Sequence, residues 1–213
     1  MKFEGVDASM DTCVCRFCQI ASGEISQDYD IPLAKENNYF TLASVGTFIQ
    51  GWSLVVPAKH EYSMRNFYTD PGFLRFLNSW IARLKNQFGD IIVFEHGANH
   101  YGSVTSCGTN HCHLHTVPFN KSLLNRITSD RNWTITTFSH VKELVGDKEY
   151  LLYSEITDTV EDSVVYVSML EKEESQYFRR FLAAELGIDD YSYKSSPRYE
   201  DTISSFNALK RMD

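Results

Sequence analysis

The chain has 213 residues, of which 43% are hydrophobic, with 11 glycines and 5 prolines, and this composition excludes a disordered or collagen-like protein. Its 20 basic and 28 acidic residues give a net charge of −8, which argues against a general nucleic-acid binder, although a local pocket can still hold a small anion. With no run of 18 apolar residues and no apolar segment near Met1, we expect a cytoplasmic protein without a membrane span.

Two strands are predicted before the first long helix. Residues 1–12 are polar and lack periodicity, which indicates a tail. Residues 38–42 and 47–56 are rich in β-branched and aromatic side chains, and we expect them to be strands joined by a turn at 44–46. Pro57 follows, and we expect it to end the second strand.

The best-defined element is a helix between Asp70 and Gly89. Asp70 is a suitable N-cap, Pro71 suits the first helical position, and Gly89 suits the end. Apolar residues in between recur every three or four positions, so the helix should pack on a sheet. The next segments are a strand over 90–96, a glycine-containing loop over 97–110 and a strand over 111–118.

Five further elements are predicted in the second half of the chain. They are a strand over 133–138, a short helix over 140–145, a hairpin of 150–156 and 163–169, a helix over 173–186 and a final helix over 199–212. No linker marks a domain boundary. We therefore expect an α+β protein with an antiparallel sheet, packed helices and a C-terminal helical and hairpin extension.

Three histidines at alternate positions are the main chemical signal. His111, His113 and His115 should project from one face of a strand, because side chains alternate along strands. Three aligned imidazoles can ligate a metal, or one can act as a nucleophile beside two others. The sequence suggests both roles at once.

A C-x-x-C segment formed by Cys15 and Cys18 has the spacing with which two thiolates grip one zinc ion. His60 and one histidine of the cluster would complete a Cys2His2 site. A redox role would need a following βαβ pattern, which is missing from the sequence. Buried apolar thiols remain the alternative interpretation.

The loop before the histidines, Ser103–Asn110, is rich in small polar residues and suits either phosphate binding or an ordinary surface loop. Glu95 and His96 should lie at the edge of the pocket, where we expect a structural rather than a catalytic role. Side chains that could sandwich a base, or belong to the core, are Phe17, Ile20 and Phe40.

Four segments together resemble the histidine triad (HIT) family of nucleotide hydrolases and transferases. HCHLHTV at 111–117 is similar to its H-φ-H-φ-H-φ-φ signature. CRFCQIASGEI, LVVPAKH and IIVFEHG stand in the order seen in zinc-containing bacterial members. The resemblance spans residues 13–119, about half of the chain. It implies a HIT-like domain over residues 13–122, after a tail over 1–12, with an extension over 123–213 packed on it.

The resemblance implies a covalent mechanism. His113 would attack the α-phosphorus of a nucleotide ester, anhydride or phosphoramidate, and water would release the nucleotidyl group. His115 would hydrogen-bond the transferred phosphate. The family role implies a hydrolase of dinucleoside polyphosphates or nucleoside phosphoramidates. Alternatives are a nucleotidyltransferase with the same intermediate, or a nucleotide-binding module without turnover.

The resemblance also assigns ligands. One structural zinc per chain would be held by Cys15, Cys18, His60 and His111. The nucleotide would contact Phe17, Ile20, Phe40, Ser44, Gly108 and Thr109. Ser44 stands where many members carry an acidic or amide side chain for the ribose, and Gly51-Trp52 where many have Gly-His. Family members often form homodimers, which implies a homodimer here unless the extension covers that surface. We expect a small-molecule nucleotide as partner, and neither nucleic acid nor membrane.

Overall fold

The computed structural model describes residues 15–212 of the chain. The predicted tail over residues 1–12 and the neighbouring Cys13 lie outside the described residues.

The described strands form one antiparallel sheet, which makes the fold α+β as expected. The strands are β1 (Ala34–Glu36), β2 (Tyr39–Ala43), β3 (Ser53–Pro57), β4 (Ile91–Gly97), β5 (Leu114–Pro118), β6 (Thr134–Thr136), β7 (Tyr150–Glu155) and β8 (Val165–Met169). Their order across the sheet is β1-β2-β3-β5-β4-β7-β8-β6. Strand β7 of the extension pairs with β4, so the sheet runs without interruption from one half of the chain to the other.

Helices cover both faces of this sheet. They are α1 (Arg16–Ser22), α2 (Pro71–Phe88), α3 (Leu124–Asp130), α4 (Val141–Val145), α5 (Tyr177–Leu186) and α6 (Tyr199–Lys210). Helices α2, α4 and α6 share an apolar core on one face, whereas α3 and α5 pack on the other face and α1 packs there over β2 and β3. No helix among residues 15–212 combines the length and apolar character needed to cross a membrane.

Helix α2 confirms the sequence prediction at both ends. The Asp70 carboxylate accepts a hydrogen bond from the Gly72 N–H at 2.7 Å, Pro71 opens the first turn, and Gly89 ends the helix with a φ of 90°. Phe73, Leu77 and other apolar residues of the helix are buried against the sheet. The long helix therefore forms where capping and apolar periodicity agree.

The predicted strand over 47–56 was wrong at its beginning, because β3 starts only at Ser53. Residues 44–52 form turns instead. The Thr47 hydroxyl donates to the Ile49 carbonyl at 2.6 Å, and Gly51 has a φ of 84°, a conformation that a strand does not contain. A hydroxyl that bonds its own backbone competes with strand pairing.

Other predicted boundaries also shift. The strand expected over 111–118 begins at Leu114, and the helix expected over 173–186 begins at Tyr177, after Gln176 adopts a left-handed conformation with a φ of 57°. The C-x-x-C segment enters helix α1 rather than forming a turn alone. Strand β1 and helix α3 were not predicted.

Candidate functional site

The three histidines keep a common face, although only His115 lies within the paired strand β5. The His113 ring lies 4.8 Å from that of His115 between centroids, while Phe17 of α1 contacts the rings of His111 and His113 edge-on. Cys112 and Leu114 point the other way, into the core beneath α2. The alternation predicted from the sequence is therefore present in the structure.

Four potential metal donors come together where α1 meets the end of β3. The donor atoms of Cys15, Cys18, His60 and His111 all lie within 4.8 Å of one another. Sγ of Cys18 is 3.2 Å from Nδ1 of His60 and 3.5 Å from Nδ1 of His111, and Sγ of Cys15 is 3.3 Å from the same His111 nitrogen. These residues form a candidate metal site.

The spacing and chemistry of this donor set fit a zinc ion. Zinc–sulfur bonds of about 2.3 Å and zinc–nitrogen bonds of about 2.0 Å put tetrahedral ligand atoms roughly 3.5 Å apart. Nε2 of His111 donates to the Pro57 carbonyl at 2.9 Å, which leaves Nδ1 as the ligand atom. Burial beside the Cys15 thiol raises the pKa of Cys18 to about 12, so in this setting only a cation would stabilise paired thiolates.

His113 has a defined tautomer. Its Nδ1 donates to the His111 carbonyl at 2.9 Å, so Nε2 carries a lone pair. Burial lowers the pKa of His113 to about 4, which keeps the imidazole neutral at neutral pH. The ring is therefore in the form that a nucleophile requires.

His115 has the opposite tautomer. The Trp52 indole N–H donates to its Nδ1 at 3.0 Å, so the proton of the neutral ring sits on Nε2. Burial lowers its pKa well below the usual value. The three histidines thus place a lone pair on His113 next to a hydrogen-bond donor on His115. The tautomer of His115 is fixed by Trp52, a residue that departs from the family pattern.

Two adjoining cavities meet at these side chains. The inner cavity, of about 80 Å³, is lined by His113 and His115. The outer cavity, of about 340 Å³, is lined by His60 and Gly108 among others. Arg16, Phe17, Thr109 and Tyr193 line both. The histidines therefore face a small chamber that continues into a larger one.

The structure brings some of the expected nucleotide-binding residues to these cavities and not others. Phe17, Ser44, Gly108 and Thr109 line one or both cavities. Ile20 and Phe40 line neither and are buried instead in the apolar cluster between α1 and the sheet, as the core alternative for these residues implied. The Thr109 hydroxyl donates to the carbonyls of Ser106 at 2.9 Å and His111 at 3.2 Å.

Glu95, one of the two residues expected at the edge of the pocket, is held by hydrogen bonds from neighbouring groups, as a structural role requires. Its carboxylate accepts hydrogen bonds from the Met64 N–H and from the hydroxyls of Tyr68 and Tyr150, each at 2.6 Å. Burial nevertheless raises its pKa. His96 instead lines the inner cavity.

Sequence reasoning missed Arg179 and Tyr193, which reach the inner cavity from the extension. Tyr193 donates to the Cys107 carbonyl, and Arg179 donates to the carbonyl of Gly46. The motif covers only the first half of the chain, so it carries no signal for these residues. A cationic side chain in the middle of the apolar helix segment YFRRFLAAEL was the one available clue.

Comparisons with known proteins yield structural matches only. No protein-family model and no curated protein sequence matches the chain. Among solved structures, it is similar to a Zn-bound histidine triad family protein from Mycobacterium smegmatis, with 24% identity over 52% of this chain and 78% of that one, at a TM-score of 0.38. A histidine triad protein from Clostridium difficile has 23% identity over 54% of this chain and 95% of that one, at a TM-score of 0.37.

A third solved structure, a DUF4931 family protein from Bacillus cereus, has 14% identity over 84% of this chain and 99% of that one, at a TM-score of 0.34.

Proposed function

We propose that the chain is a hydrolase of nucleoside phosphate derivatives that works through a nucleotidyl intermediate on His113. The observation that carries this proposal is the pair of opposite tautomers, with the His113 Nδ1–H bound to the His111 carbonyl and the His115 Nδ1 bound to Trp52. A lone pair and a proton donor then face one phosphoryl group in the inner cavity. This arrangement suits attack on phosphorus and stabilisation of the charge that develops on a non-bridging oxygen.

The covalent cycle balances with water as the second reactant. Nε2 of His113 forms a bond to the α-phosphorus, while the bond from phosphorus to the leaving group breaks and its electron pair departs with that group, which takes up a proton from solvent. Water then attacks the same phosphorus and releases a proton to solvent, while the P–N bond breaks and its electron pair returns to Nε2 of His113. The products are a nucleoside monophosphate and the released leaving group.

The metal in this proposal is structural. One zinc ion per chain, held by Cys15, Cys18, His60 and His111, would fasten α1 to the segment that carries the nucleophile. Four protein ligands leave no position open for an activated water. Zinc would therefore supply rigidity at helix α1, whose Phe17 packs against the rings of His111 and His113.

The test is turnover of a dinucleoside polyphosphate and a nucleoside phosphoramidate by wild type, His113→Ala and His140→Ala. His140 is exposed and bonded only to nearby side chains, so its replacement controls for loss of one histidine. We expect His113→Ala to lose at least a thousandfold in kcat, and the control to lose none. Undiminished turnover by His113→Ala overturns the proposal.

Trapping separates the remaining candidate functions. An alkaline quench should preserve a phosphorus–nitrogen adduct on wild type that acid releases. Faster product formation with an added acceptor, with the nucleotidyl group found on it, would indicate the nucleotidyltransferase instead. Tight nucleotide binding without adduct or turnover would indicate a binding module.

A further inference from the structure

Arg179 is a buried cation without an anionic partner. Its side chain belongs to α5, and the residue is only 4% exposed. Among residues 15–212 no carboxylate forms an ion pair with it. Burial lowers the pKa of Arg179 to about 10, and the neighbouring side chains that act on it most are Cys107 and Tyr193. Burial raises the pKa of both, so neither carries a charge at neutral pH. Burying an unpaired charge is costly, which suggests that a ligand supplies the missing charge.

The guanidinium is held in place but not saturated. Nε donates to the Tyr191 carbonyl at 3.0 Å, and Nη2 donates to the Gly46 carbonyl. The group also stacks over Trp52, 4.8 Å from the ring centroid. Nη1 has no hydrogen-bond partner within the described part of the chain. A guanidinium fixed in this way keeps free donors directed at the cavity that it lines.

A second unpartnered group lines the same cavity. His96 is 8% exposed, and neither of its ring nitrogens has a hydrogen-bond partner among the described residues. Its ring centroid lies 6.2 Å from that of His115. Buried polar groups are normally satisfied, so two orphan nitrogens beside an unpaired guanidinium form a built site for a hydrogen-bonding anion.

We propose that Arg179 and His96 bind the phosphoryl group of the substrate in the inner cavity, opposite His113 and His115. The inference rests on the proposed function for the role of His113, and it specifies where the transferred group sits. The inner cavity of about 80 Å³ suits a phosphoryl group, whereas the outer cavity of about 340 Å³ suits the rest of the substrate. The C-terminal extension therefore completes the phosphate site of the first half of the chain.

The ligand class is thus a tetrahedral phosphate anion, and inorganic phosphate is the probe. Titration of wild-type protein should saturate, and it should shift the Nε–H resonance of Arg179 in a nitrogen–proton NMR spectrum, assigned from its absence in Arg179→Lys. The titration uses the intact wild-type chain, and only the assignment of the resonance uses the Arg179→Lys variant. No saturable binding, or an Arg179 resonance that does not move at saturation, overturns the proposal.

Variants then test the two groups. Arg179→Met keeps the aliphatic stem and should weaken phosphate binding tenfold or more, while Arg179→Lys should restore part of it. Arg180→Met is the matched control, since it removes the same charge from the exterior of the same helix, where Arg180 pairs with Glu174. His96→Phe should weaken phosphate binding severalfold without lowering the melting temperature, because it removes two orphan nitrogens and keeps an aromatic ring.

The two proposals fail separately. If folded Arg179→Met and His96→Phe bind phosphate within twofold of wild type, the phosphate-site inference is wrong whatever His113 does. If Arg179 is required for phosphate binding but His113→Ala still turns substrate over, the inference holds for binding and the covalent mechanism is wrong. Phosphate binding needs no turnover, so neither result depends on the other.

Discussion

At the scale of single residues, the site depends on hydrogen bonds that choose which ring nitrogen carries a proton. The His111 carbonyl accepts the Nδ1 proton of His113 at 2.9 Å. The motif did not predict the partner of His115, because Trp52 departs from it. A sequence identifies residue types at a site, but a tautomer depends on which distant side chain lies beside the ring.

Trp52→Phe tests this second hydrogen bond. The phenyl ring keeps the packing beside Phe48 and Phe94 but loses the donor, so the Nε2-protonated form of His115 loses its support. We expect kcat to fall about tenfold, which corresponds to roughly 1.4 kcal/mol. The nitrogen chemical shifts of His115 should report a mixture of tautomers.

The matched control is Trp80→Phe. Trp80 donates to the Ser53 hydroxyl at 2.9 Å and belongs to the core under α2, so this change should lower stability and leave kcat unaffected. Equal kcat losses in Trp52→Phe and Trp80→Phe would show that loss of packing, and not the tautomer, explains the effect.

At the scale of elements, prediction succeeded where local signals agreed and failed where distant contacts decide. Helix α2 has an N-cap residue, a proline in its first turn and a glycine after its end, and each of these signals can be recognised in the local sequence. Strand β1 has three residues and exists because it pairs with β2, which local sequence does not encode. Helix α1 has seven residues, a length that is marginal in isolation.

We expect the protein to lose stability when the metal site beside α1 is disrupted. Cys18→Ser removes one thiolate from the donor set, and we expect purified protein to contain no stoichiometric zinc, against one ion per wild-type chain. The melting temperature should fall by roughly 5 °C or more, because lost metal binding is lost folding free energy. Elemental analysis and thermal melts measure both quantities.

Cys107→Ser is the control for this experiment. Cys107 is a free cysteine outside the four-residue donor cluster, so its zinc content should equal that of wild type. Wild-type protein purified without any zinc, or full zinc content in Cys18→Ser, would remove the proposed metal site.

The cap of α2 gives a pH-dependent prediction. A hydrogen bond from the Tyr39 hydroxyl is the main cause that lowers the pKa of Asp70 below its usual value. The contribution of the Asp70 carboxylate to the free energy of unfolding is therefore fully present above the unfolded pKa of about 3.9. It is lost as the pH falls through the lower pKa of the folded state. Asp70→Ala should lose about 1 kcal/mol at pH 7, and its difference from wild type should shrink below about pH 4.

Urea denaturation at several pH values checks the prediction for Asp70. Asp189→Ala serves as the control, because Asp189 is exposed and lies between helices, and its unfolding curve should follow wild type at every pH. A difference between Asp70→Ala and wild type that stays constant down to pH 2 would contradict the assigned cause.

At the scale of the whole molecule, the extension belongs to the same sheet and the same core as the first half. Strand β7 pairs with β4 along its length, and Phe178 of α5 lies 4.7 Å from the ring of Phe94. The sequence predicted an extension packed on the first half but not the residues that it brings to the cavity. Such contacts arise between segments far apart in the chain, and no local pattern records them.

Phe178→Ala tests whether the two halves unfold together. Phe178 is fully buried between Phe94 and Tyr153, so the cavity left behind should lower the free energy of unfolding by about 3 kcal/mol or more. A single cooperative transition should persist in urea, seen alike by circular dichroism and tryptophan fluorescence. Leu186→Ala, on the exposed side of the same helix, should change little.

Two separate transitions in wild type would contradict this view. In that case residues 13–122 and 123–213 would be independent folding units, and Phe178→Ala should affect the second alone.

The contact between Gly46 and Tyr193 limits how such a chain can be recombined. Gly46 has a φ of 72°, and a methyl group there would collide with the Cβ atom of Tyr193. Grafting this extension onto another domain of similar fold would therefore fail wherever that recipient bears a side chain at the matching turn. A chimaeric protein that keeps Tyr193 of the extension therefore also needs a glycine at the position of Gly46.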